Sequence, residues 1–95
     1  MGGRRRSRIE IVADILEALD GEVLTPTRLA TAANLPYDRL QPILDELIER
    51  GLVARRRVES NPRANELVLT ERGREVLREL RRLKSVLRDF GLDLL

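Results

Sequence analysis

Apolar residues recur along this chain in more than one rhythm. Between Ile9 and Leu19 they fall on almost every side of a helix: Ile9, Val12, Ala13, Leu16 and Leu19 make one row, and Ile11, Ile15 and Ala18 a second. Only Glu10, Asp14 and Glu17 remain as a narrow polar stripe. Steps of three and four residues are the spacing of a helix face. Ser7 and Glu10, three apart and just ahead of the run, fit a capping box in which each satisfies a free backbone donor of the other. A first helix is therefore expected from Arg8 to about Leu19, with the Ile9–Leu19 row towards the core. A helix apolar on most sides must be covered on most sides, which one small domain hardly achieves alone.

Asp20-Gly21 stops that helix and leaves room for a short edge strand over Glu22–Leu24. The next 28 residues organise the chain. Thr25 is a good N-cap and Pro26 suits the first helical position, where its missing N–H is no loss. Leu29, Ala30 and Ala33 give a small apolar face, and Asn34 stands where the chain must turn left-handed. Leu40, Leu44, Leu47 and Ile48 then repeat at helical spacing until Gly51 closes the segment. The start of this third helix stays open: either Pro36 begins it and Pro42 interrupts it, or Asp38 caps a later start with Pro42 near the first turn. Two helices joined by so short a turn form a helix-turn-helix.

Leu52–Val58 and Glu66–Thr70 are expected as two strands of a hairpin with Glu59–Asn65 as its tip, which adds a wing. Thr70 is the expected N-cap of a final helix from Glu71 to about Phe90. Along it Val76, Leu80, Leu83, Leu87, Phe90 and Leu94 alternate in steps of four and three, a short heptad seam. The fold class is therefore mainly α with a small β-hairpin: a winged helix-turn-helix over residues 8–70, a flexible basic arm over 1–7, and an amphipathic dimerisation helix over 71–95. The expected interface between copies comprises Ile11 and Ile15 from the second row of the first helix, and Val76, Leu80, Leu83, Leu87, Phe90 and Leu94. The competing arrangement has the final helix folded back over its own first helix.

Ninety-five residues make one modest core. With one Tyr, one Phe and no Trp, that core is aliphatic. Cys and His are both absent, which removes disulfides, thiolate metal sites and the commonest catalytic bases and nucleophiles. No Gly-rich phosphate loop follows a strand, and no apolar run reaches the roughly 18 residues of a membrane span. The reading is of a non-enzymatic, cytoplasmic protein without cofactor or metal. Carboxylates sit on helix faces, spaced to pair with arginine, as Glu75 with Arg78 and Glu79 with Arg82.

The formal net charge of +2 hides a strong asymmetry. Residues 1–8 carry four arginines and no acid, and residues 52–65 carry four arginines against Glu59. Residues 9–51 carry nine acids against three arginines. Arg55, Arg56, Arg57 and Arg63 in the wing fit phosphate or minor-groove contact, because guanidinium forks match phosphate oxygens. The plainer alternative is an edge strand protected by charge. Three consecutive arginines place charge on both strand faces, more than edge protection needs. Arg4, Arg5 and Arg6 of the arm fit a groove in the same way, or simply solubilise the end of the chain. On the third helix Asp38, Gln41, Pro42 and Asp45 form the exposed row, with Tyr37 and Arg39 beside it. Gln41 suits adenine and Arg39 guanine. Two aspartates on that row repel phosphates, so backbone-led binding fits better than strong sequence readout. Arg28 completes the expected DNA-contacting set.

Three strings carry a family likeness: Thr25-Pro-Thr-Arg-Leu-Ala-Thr-Ala-Ala-Asn-Leu-Pro-Tyr37, Leu44-Asp-Glu-Leu-Ile-Glu-Arg-Gly-Leu-Val53 and Leu69-Thr-Glu-Arg-Gly73. Together they resemble archaeal winged-helix DNA-binding proteins, the small ten-kilodalton chromatin-type proteins and their predicted transcriptional-regulator relatives, over about residues 8–90. The resemblance implies a nucleoid-associated homodimer that binds duplex DNA and pairs its C-terminal helices as an antiparallel coiled coil. It places the recognition helix at Pro36–Ile48, the wing at Arg55–Asn65 and the dimer helix at Glu71–Leu95. The acidic balance of residues 9–51 motivates the alternative, a winged-helix module that binds other proteins in a larger assembly.

Overall fold

The computed structural model describes residues 6–92, the side chains of Pro62 and Arg63 excepted. Its elements are α1 (Arg8–Ala18), α2 (Pro26–Ala32), α3 (Tyr37–Glu49), β1 (Val53–Val58), β2 (Asn61–Leu69) and α4 (Glu71–Asp89). This is the expected mainly helical architecture with one hairpin.

Capping chemistry sets the helix starts. Ser7 Oγ accepts from the Glu10 amide at 3.2 Å while the Glu10 carboxylate accepts from the Ser7 amide at 3.0 Å. Thr25 caps α2, with Pro26 in its first turn. The Thr70 hydroxyl accepts from the Gly73 amide at 2.9 Å and donates to the Gly51 carbonyl at 2.6 Å, so one side chain joins the end of α3 to the start of α4. Three helices also end alike. Asn34 (φ 56°), Gly51 (φ 79°) and Gly91 (φ 73°) turn left-handed after α2, α3 and α4. In each case the following amide reaches back five residues: Leu35 to the Ala30 carbonyl, Leu52 to Leu47, Leu92 to Leu87. That pairing satisfies carbonyls which the helix end would otherwise leave open.

The open question at α3 resolves towards the early start. Pro36 is the N-cap, without a side-chain hydrogen bond, and the helix runs continuously through Pro42. The amide that Pro42 lacks would have bonded Asp38 in the first turn, where a helix end can give way to the ring. Pro42 itself faces solvent.

Three expectations about the fold need correction. The first is the core face of α1: Leu16 and Leu19 of the expected row are buried, but Ile11, 4 % exposed, and Ile15, fully buried, join them, whereas Ile9 is 42 % exposed. Ile11 and Ile15, assigned to an interface between copies, therefore lie inside the domain core and are withdrawn from any such interface. An almost uniformly apolar helix gives the sequence little by which to choose its inner side. The second is the wing. Its turn is only Glu59-Ser60, and most of the expected tip belongs to β2. Register runs from Val53 opposite Leu69 to Arg57 opposite Asn65, then slips so that Val58 faces Asn61. A solvated strand pairs through its backbone, so its polar side chains carry no alternation to read. The expected Glu22–Leu24 strand shrinks to Leu24, which pairs with Leu67 through two backbone hydrogen bonds of 2.7 and 3.2 Å.

The core is aliphatic throughout, with Leu16, Leu29, Leu40, Leu44 and Leu67 at zero exposure. Helix α4 joins it through Leu77, 2 % exposed, with Val76 and Leu80 packed on its margin. Position 73 fixes how near α4 lies to the hairpin base. A Cβ on Gly73 would fall far inside van der Waals contact with the Leu52 carbonyl oxygen and 2.7 Å from Leu69 Cδ1. Beyond Leu80 the helix leaves the body, and Leu83, Val86 and Phe90 are 47 %, 45 % and 77 % exposed.

Candidate nucleic-acid interface

The exposed face of α3 is set by helix periodicity. Leu40, Ile43, Leu44 and Leu47 are buried, which turns Asp38, Pro42 and Asp45 outward and leaves Gln41 half-buried. Tyr37, 47 % exposed, and Arg39 stand in the first turn. Arg28, in the first turn of α2, is exposed too.

Strand alternation divides the wing arginines. Residues directly opposite in an antiparallel pair share a face. Arg55 therefore lies on the side of its partner Leu67, which is fully buried, and of Val53, 1 % exposed. It emerges from the edge of the core towards α3 and bonds Asp45 there, Nη2 to Oδ1, at 3.2 Å. Arg56 lies on the other face, opposite Glu66, and bonds its carboxylate at 2.9 Å. Arg57 shares the face of Arg55 but is exposed and has no ion pair among the described residues. Arg28 and Arg39 likewise have none. The expected cluster thus separates into two neutralised arginines and three free ones. Arg4 and Arg5 lie outside the described residues, as does the side chain of Arg63.

Arg6 is elsewhere. Its guanidinium donates to Asp14 at 2.8 Å, to the Ala33 carbonyl at 2.7 Å and to the Asn34 carbonyl at 2.5 Å. It ties α1 to the turn between α2 and α3, so the expected DNA contact is corrected to a strut. The flexible arm accordingly gives way to fixed structure at Arg6 and at the cap Ser7. Arg8 pairs with Glu46, which also receives Arg50 at 3.1 Å, so the start of α1 is bound to α3 as well.

A further ionic tie secures α4. Arg81 donates to both oxygens of Glu17, at 2.6 and 2.8 Å, and to Asp20 at 2.8 Å. The hydrogen bond and charge of Arg81 hold the Glu17 carboxyl below its usual range, and the same bonds push the Arg81 guanidinium up. Beside this clamp a groove of about 330 Å³ runs between α1 and α4, floored by Ala13, Leu77 and Leu80.

Of the expected interface between copies, Leu83 and Phe90 are exposed, Val76, Leu80 and Leu87 are half-buried, and Leu94 lies outside the described residues. A second shallow groove of about 330 Å³ follows Val76, Leu80 and Leu83 along α4.

Comparison with curated proteins finds no match. Among solved structures, the transcriptional repressor CouR, bound to a 23-mer DNA duplex, is 31 % identical with a TM-score of 0.71, over 77 % of this chain and 52 % of its own. The transcriptional regulator BldR from Sulfolobus solfataricus is 30 % identical with a TM-score of 0.69, over 83 % of this chain and 60 % of that one. Sso10a-2, a DNA-binding protein from the same organism, has the same fold at 21 % identity, TM-score 0.76, over 90 % and 86 % of the two chains. This chain thus spans about half the length of the CouR chain. The likeness to archaeal winged-helix proteins seen in the sequence agrees with these neighbours. With the winged helix-turn-helix family model matching residues 5–88, the chain belongs to that family.

Proposed function

We propose that this protein binds duplex DNA as a homodimer, acting as a transcription regulator or nucleoid protein in the cytoplasm. The observation that carries this is the wing beside α3: Arg57 on β1 together with Arg28 and Arg39 at the starts of α2 and α3, all exposed and without an ion pair among the described residues. A helix N-terminus and a guanidinium both suit phosphate oxygens. The repressor structure with the same fold, bound to a DNA duplex, supports the same reading. Residues 8–70 form the binding domain and α4, Glu71–Asp89, the dimer helix. The dimer rests on the distal part of α4, where Leu83, Val86 and Phe90 leave an apolar stripe that monomers rarely present to water.

Titration of a duplex at several salt concentrations tests it. Three free arginines on each of two protomers neutralise about six phosphates, so the log–log slope of affinity against salt is expected near about −5. No binding at low salt overturns the DNA reading and favours a protein-binding module.

A further inference from the structure

The acids on the exposed row of α3 are the feature that DNA binding leaves unexplained, because a carboxylate facing phosphates is repelled. Asp45 is not an isolated acid, however. It holds Arg55 at 3.2 Å across the junction of α3 and β1, and Glu66 holds Arg56 at 2.9 Å across the hairpin. Each pair spans ten residues of sequence and joins a carboxylate to one of three consecutive arginines. The third, Arg57, has no partner among the described residues.

We propose, resting on the DNA-binding reading above, that Asp45 and Glu66 set DNA affinity by keeping Arg55 and Arg56 from the phosphates. In each pair the carboxylate occupies the guanidinium fork as a phosphate oxygen would. Exposed ion pairs are weak on their own, and the side chains of Asp45 and Arg55 are 63 % and 45 % exposed. The weight comes from what breaking the pair would leave behind. An arginine that moves to a phosphate strands its carboxylate beside a polyanion, so the swap trades one attraction for another and adds a repulsion. Arg55 and Arg56 therefore remain largely paired in the complex, and Arg57, Arg28 and Arg39 make the contacts. The three arginines are alike in sequence and unlike in role, and their partners decide which is which.

The sign of the effect separates this from a structural role. If the pairs merely brace the wing, removing a carboxylate weakens binding. If they sequester arginines, removing it strengthens binding. Asp45→Asn and Glu66→Gln, each nearly isosteric and at the surface, are titrated with a fluorescent duplex alongside the parent, with thermal melts as the folding control. Each is expected to tighten binding about three- to tenfold at low salt and to steepen the salt slope by about 0.9 for every arginine released, about 1.8 for a dimer. The paired variant Asp45→Asn/Arg55→Gln, which removes both charges together, is expected to bind within about twofold of the parent and so to lose the gain of Asp45→Asn alone. Arg57→Gln in the parent weakens binding and flattens the slope. Parent binding with Asp45→Asn no tighter, or the paired variant as weak as Arg57→Gln, overturns the inference and leaves the DNA reading standing. Absence of duplex binding by parent and variants alike overturns both.

Discussion

Between Glu71 and Leu80 helix α4 presses so closely on the hairpin base that position 73 admits no side chain, whereas from Leu83 onward the same helix shows leucine, valine and phenylalanine to solvent. Both stretches carry the same four-and-three apolar repeat. What separates them is what lies opposite. Leu77 meets the core, and Val76 and Leu80 its margin, while α1 ends at Ala18 and leaves the distal residues uncovered. A heptad repeat thus specifies an apolar face and says nothing about whether that face is satisfied within the chain or by another copy. Arg81, clamped on Glu17 and Asp20, marks the boundary.

The largest effect is expected on the proximal side. Gly73→Ala sets a methyl group against the Leu52 carbonyl, which is backbone and cannot swing aside. Overpacking of this kind, forcing α4 away from the core that Leu77 completes, is expected to destabilise by about 3–4 kcal/mol or more, read as a lower denaturation midpoint in urea. An unchanged midpoint would mean that α4 is not bound to the hairpin as described. The distal half responds differently. Leu83→Asp is expected to leave the monomer fold within about 0.5 kcal/mol of the parent while splitting the dimer and weakening DNA binding through lost bivalency. Sedimentation at micromolar concentration shows which: a parent that is already monomeric removes the distal face as a dimer interface.

The smallest effect lies at the boundary itself. Because Arg81 holds Glu17 below the ordinary carboxylate value of 4.5, the clamp favours the folded state most at pH values above that figure, and its contribution disappears as the pH falls through the lowered value. Parent and Arg81→Gln melts, compared from neutral to acid pH, are expected to differ slightly at neutrality and to converge in acid. Added salt narrows the difference as well, since both partners are solvated. A gap that persists in acid and in high salt means the clamp acts through packing instead.

What the sequence revealed of this fold was its local chemistry. Ser7, Thr25 and Thr70 announce helix starts, and Asn34 and Gly51 announce stops, because a cap or a left-handed residue acts on neighbours within four or five positions. The hidden parts are those that depend on distant partners. Nothing near Arg6 signals that it reaches carbonyls 27 and 28 residues away. Nothing in Arg55-Arg56-Arg57 distinguishes the two neutralised arginines from the free one, since Asp45 and Glu66 each lie ten positions off. The inner side of α1 was obscured for another reason: Ile9 and Ile11 are equally apolar, and only packing chooses between them. Gly73 was visible as part of the Leu-Thr-Glu-Arg-Gly string, but its cause, the Leu52 carbonyl, was not.

The seat of α4 has a mechanical consequence. Thr70 and Gly73 fix the helix where α3 ends and β1 begins, making that junction a fulcrum and the helix beyond it a lever. From Gly73 to Asp89 the lever is about 24 Å long at 1.5 Å per residue. A tilt of about 5° at the fulcrum carries its far end through about 2 Å, the scale of the small helix displacements at which packed interfaces exchange one arrangement for another. A torque applied near Phe90 meets the Arg81 clamp first, and only when Arg81 releases Glu17 and Asp20 is it delivered at Leu52, the residue that leads directly into the arginine strand.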